Sequence, residues 1–117
     1  MTLPLESLRE FDIDAGLVYA DGDQELYLEV LAMFHEQLTT EFAGLPQRLR
    51  TDITTDLARQ AHTLKGSASS VGATHIAAAA QVIDQQIKEG KTSLEVELLD
   101  RLHASIQSAL HELNSVL

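Results

Sequence analysis

The stretch His62-Thr63-Leu64-Lys65-Gly66 combines residue types and spacing suited to group-transfer chemistry. A neutral imidazole offers a nitrogen lone pair to an electrophile such as phosphorus. A phosphorylated ring nitrogen is in turn a good leaving group, so one atom can accept a group and pass it on. A lysine three residues along a helix lies on the adjoining surface, where its flexible stem can bring an ammonium to phosphoryl oxygens and hold their charge.

The element that must present these groups is a helix over residues 57–71. At about 100° per residue, Leu57, Ala61, Leu64, Ala68 and Val71 fall in one apolar sector with the spacing of a core stripe. His62 lies roughly 140° from the middle of that sector and points to water. Lys65 lies on the flank between His62 and the buried stripe. Gly66 is unexpected there, because a glycine inside a helix costs about 1 kcal/mol relative to alanine and the apolar spacing runs through it without a turn. Two readings of Gly66 stand: a tolerated helix glycine without a role, or, with Gly66 bare and Thr55, Ala58 and Ser69 small, a low surround that leaves the imidazole open to another protein.

The run Ala61-His62-Thr63-Leu64-Lys65-Gly66-Ser67 resembles the signature of histidine-containing phosphotransfer domains, the carriers of multistep phosphorelays. The resemblance extends in helix order over residues 12–117 and is specific at His62. It implies that His62 is phosphorylated on the ring nitrogen that projects from the helix, and that Lys65 steadies the phosphoryl charge. Gly66, Ser69, Ala58 and Thr55 would contact the partner, and Gln85 and Lys88 of the following helix would supply a hydrogen bond and a second cation. It also implies a partner receiver domain of a response regulator, whose phosphorylatable aspartate and Mg²⁺ supply the acidic and metal machinery, and a hybrid sensor kinase upstream. No Walker pattern, glycine-rich nucleotide loop or ATP lid is present, so the expectation is a phosphotransfer intermediate with no cofactor and no ATP-dependent kinase activity of its own.

The rest of the chain sets bounds. Its 117 residues suit a single domain with a real core. Apolar residues are 44% of the total and aromatics 4%, which calls for an aliphatic core of packed helices. Cysteine is absent, so disulfides and thiolate metal sites are excluded, in keeping with a cytoplasmic location. A net charge of −10 repels phosphate backbones and anionic lipid, which argues against nucleic acid and membrane partners. No signal pattern opens the chain, no apolar run approaches a spanning length, and the starting Met1 suggests a stand-alone protein.

In order, residues 1–11 form an opening segment in which Leu5, Leu8 and Phe11 close one end of the bundle. Asp12 or Asp14 caps a short helix carrying Ile13, Leu17 and Val18, which stops at Asp21-Gly22. Asp23 caps a long helix with Tyr27, Val30, Leu31, Phe34, Leu38 and Phe42 in its stripe, ended by Gly44 and Pro46. A short helical connector follows over 45–51, and several residues of 52–55 could cap the histidine helix. Gly72 breaks that helix. The next, 73–88, buries Ile76, Ala79, Ala80, Ile83 and Ile87 and packs antiparallel against it. Thr92 and Glu95 match a capping box for a last helix striped by Leu94, Leu98, Leu102, Ile106, Leu110, Leu113 and Leu117. The expected fold is all-α: an antiparallel four-helix bundle with a short additional N-terminal helix, monomeric.

His35, His75, His103 and His111 share no motif. His103 and His111 are eight apart, but no acidic partner recurs at ligand spacing, so no metal site is expected. Composition and periodicity would equally suit a non-catalytic helical adaptor. Only the His62, Lys65 and Gly66 constellation separates the two.

Overall fold

The computed structural model describes residues 8–117, which form six helices and, among the described residues, no strand. They are α1 (Ile13–Tyr19), α2 (Gln24–Thr39), α3 (Leu45–Thr51), α4 (Thr55–Val71), α5 (Thr74–Lys88) and α6 (Val96–Val116). Helices α2, α4, α5 and α6 make the antiparallel bundle, α1 lies across α4 and α2, and α3 bridges α4 and α6. Leu5 of the opening segment lies outside the described residues, whereas Leu8 and Phe11 are buried and Phe11 meets Phe34 edge to face at 6.3 Å. No helix of the described residues is long and apolar enough to cross a membrane.

The helix starts follow local side-chain chemistry. Asp12 accepts a hydrogen bond from Ala15 N, Asp23 from Leu26 N, and Thr54 from Leu57 N, each satisfying a backbone donor that the first turn leaves unpaired. Thr54 is therefore the cap of α4. The aliphatic core is closed by Leu31, Leu64, Ile76, Ile83, Leu99, Leu102 and Leu113, all with essentially no exposure. Each such side chain contributes about 1.5–3 kcal/mol relative to an exposed one.

Three expectations need correction. The long helix ends at Thr39, ahead of Phe42 and Gly44. The hydroxyls of Thr39 and Thr40 bond to the carbonyl of Glu36, 3.0 and 2.7 Å away, and Thr40 leaves helical geometry. Phe42 is buried from a turn instead, and Pro46 opens α3 rather than closing α2, as a residue without an N–H can do at a first turn. Second, α6 begins at Val96, and neither Thr92 nor Glu95 makes a side-chain cap bond, so the capping box does not form. Third, Val18 is 77% exposed, because α1 is only seven residues long and turns Ile13 and Leu17 inward.

The junction of α4 and α5 fixes the pair that carries the site. Gly72 has φ +78°, and its carbonyl accepts a hydrogen bond from Asp12 N at 2.7 Å. A Cβ there would strike the Asp12 carbonyl. Beside it the buried Tyr27 hydroxyl donates to Val71 O at 2.8 Å. Burial first, and the nearby Asp12 charge second, push the Tyr27 pKa up to about 12. The tight turn lays α5 back along α4, with Ala68, Ala79 and Ala80 buried between close-set backbones.

Candidate functional site

Burial of Leu57, Ala61, Leu64, Ala68 and Val71 sets the rotation of α4, and that rotation puts His62 outside. Its side chain is 57% exposed. Along the same face Thr55, Gly66 and Ser69 are exposed and Ala58 is half-buried. A Cβ placed on Gly66 would meet no atom within 4 Å, so nothing in the fold demands a glycine there.

The antiparallel return of α5 brings Asp84 opposite His62 and Lys65. Asp84 is the one buried charged side chain among the described residues. Its Oδ2 accepts from Lys65 Nζ at 2.9 Å and from Lys88 Nζ at 3.0 Å, and lies 3.3 Å from His62 Nδ1. Burial by itself would push the carboxyl pKa up. The hydrogen bonds from Lys65, Lys88 and His62, with the charge of Lys65, outweigh that and hold it well below the usual carboxylate range. An ionised carboxylate only accepts, so its contact with His62 is attractive when Nδ1 carries the ring proton. That tautomer leaves the lone pair on Nε2.

Two ammonium groups around one carboxylate also make this spot locally positive on a chain of net charge −10. Such a spot, with a nucleophilic nitrogen at its edge, is suited to receiving an anionic electrophile. Of the residues singled out from the sequence, His62, Lys65 and Lys88 converge on Asp84, while Thr55, Ala58, Gly66 and Ser69 share the face of α4 around the ring. Gln85 is exposed and forms no side-chain hydrogen bond among the described residues; its neighbour Asp84 takes the contact with the ring.

Asp84 is the site residue that the sequence pattern alone does not single out. The signal was its place beside the apolar stripe of α5, four residues before Lys88, on the flank that an antiparallel α4 would cover. The other histidines lie elsewhere. His75 pairs with Glu10 at 2.8 Å, His35 with Asn114 at 2.8 Å and His103 with Gln47 at 3.1 Å, while His111 is exposed.

Compared with known families, residues 29–113 match the family model described as the Hpt domain. The match spans α4 and α5 whole and includes His62, Lys65, Gly66 and Asp84. No curated protein matches the chain.

Proposed function

Since the chain belongs to the Hpt domain family, a phosphotransfer module of phosphorelays, we propose that His62 is the residue that carries the phosphoryl group. In this reading Nε2 attacks the phosphorus of a receiver-domain aspartyl phosphate. The N–P bond forms as the acyl P–O bond breaks, and the aspartate carboxylate leaves with the bonding electron pair. The ring proton stays on Nδ1 beside Asp84. A second receiver aspartate takes the group by the reverse step. Lys65 would hold the phosphoryl oxygens, Gly66 would give the partner access, and Thr55, Ala58 and Ser69 would line the contact. Any Mg²⁺ would belong to the receiver.

The observation that carries this proposal is the exposed His62 ring held through Nδ1 by a buried, ionised Asp84. We take the whole of 1–117 as one domain acting as a cytoplasmic monomer, with a hybrid sensor kinase as the source of phosphate.

The test is incubation with a receiver domain phosphorylated on aspartate. Acid-labile, alkali-stable label should appear on the chain, and His62→Gln should abolish it with helicity unchanged. Label that persists on the variant would place the chemistry elsewhere. A wild-type chain that binds the receiver without taking label would be a non-catalytic adaptor.

A further inference from the structure

Asp84 holds more cations than one buried carboxylate requires. Lys65 and Lys88 reach the same oxygen, Oδ2, at 2.9 and 3.0 Å, Lys65 from α4 and Lys88 from one turn further along α5. Lys65 is one turn from His62 on the same helix, so it is the cation placed to meet a group arriving on the ring. In the structure, however, it is spent on Asp84. Moving it to a phosphoryl oxygen would take a partner from a carboxylate whose side chain is only 8% exposed, and stripping a buried charge is strongly unfavourable. The second lysine removes that obstacle. The Lys88 side chain is 58% exposed and needs no rearrangement to keep its bond.

We propose that Lys88 is a positioning residue: it keeps Asp84 paired while Lys65 swings from the carboxylate to the phosphoryl group on His62. This rests on the assignment of His62 as the phosphoryl carrier. Lys65 moves as an ammonium and exchanges one anionic partner for another, with no proton transferred. The ring keeps its Nδ1 contact to Asp84 throughout, so the nucleophile's tautomer is undisturbed by the exchange.

The proposal makes Lys88 act through Asp84. Transfer from a phosphorylated receiver is measured for wild type, Lys65→Met, Lys88→Met, Asp84→Asn and the Asp84→Asn/Lys88→Met double variant. The assay is run at one fixed pH for all variants, with circular dichroism confirming the fold. Lys88→Met should slow transfer by about tenfold, and Lys65→Met by at least as much. The double variant should match Asp84→Asn within about twofold, because a holder has no effect once the carboxylate it holds is gone.

A second readout is the side-chain ammonium signal of Lys65 by ¹⁵N NMR. It should shift on phosphorylation in the wild type and stay near its resting position in Lys88→Met. Effects that multiply in the double variant would mean that Lys88 touches the phosphoryl group itself, and would overturn the proposal. So would a Lys88→Met chain that transfers at the wild-type rate, or a wild-type Lys65 signal that does not respond. If the wild type takes no label, the assignment of His62 falls as well. If it labels normally and only the relation between Lys88 and Asp84 fails, the role of Lys88 alone is lost.

Discussion

Two glycines of the α4 region, Gly66 and Gly72, lie six residues apart and answer to different demands. Gly72 adopts φ +78° with the Asp12 carbonyl pressed against the space a Cβ would fill, so the backbone itself requires it. Gly66 is in regular helix with open space around it, so the fold would be better served by alanine. A glycine that folding does not ask for lies one turn from an exposed histidine, and the proposed function gives it a reason: room for a partner to approach. The turn end of α4 is built for stability; under the proposed function its middle would serve access.

Substitution at Gly72 should break this contrast most visibly. Gly72→Ala must accommodate both the left-handed backbone and the Asp12 contact, and should lose about 3 kcal/mol in urea unfolding. A loss under 1 kcal/mol would mean that the junction relaxes and that the two glycines are alike after all.

Smaller in size, and sharper in kind, is the pH response of the two regions. The Tyr27 hydroxyl, raised from 10.0 to about 12, holds its proton more tightly in the folded state. Its contribution is therefore full below pH 10 and fades as pH rises through 12. Asp84, lowered from 3.8, behaves with the opposite sign: its contribution is full above that value and is lost as pH falls through the depressed folded pKa. Tyr27→Phe should cost about 1–2 kcal/mol near neutrality, since Val71 O loses its donor, and should flatten the alkaline limb of the stability curve while leaving the acid limb. An unchanged alkaline limb would show that Tyr27 is not the group responsible.

The smallest effect on stability is the most informative one about function. Gly66→Ala should raise stability by up to about 1 kcal/mol while slowing phosphoryl transfer on the order of tenfold, because a small displacement of the partner is costly in transfer chemistry. Stabilisation with unimpaired transfer would leave Gly66 without a functional reason.

Much of this was legible in the residues. The apolar spacing of α4 gave the outward aim of His62, the flank position of Lys65 and the end of the helix at Val71, because helical rotation is fixed once one face must be buried. Side-chain caps at Asp12 and Asp23 were equally local. Less legible were the early end of α2 and the late start of α6. Thr39 and Thr40 can bond backwards to carbonyls as readily as the chain can continue, and the Thr92-Ser93-Leu94-Glu95 pattern specifies a cap only when the first turn begins where the pattern expects. Those choices depend on what the neighbouring helices leave room for.

The sequence by itself determined an exposed imidazole with a lysine one turn away, because both follow from the period of a single helix. Only the tertiary structure decided that Asp84 lies beneath them, with Lys88 on the same oxygen. A carboxylate becomes buried, ionised and shared only when a second helix is laid antiparallel against the first, and the register of that packing is a property of two surfaces rather than of either one alone.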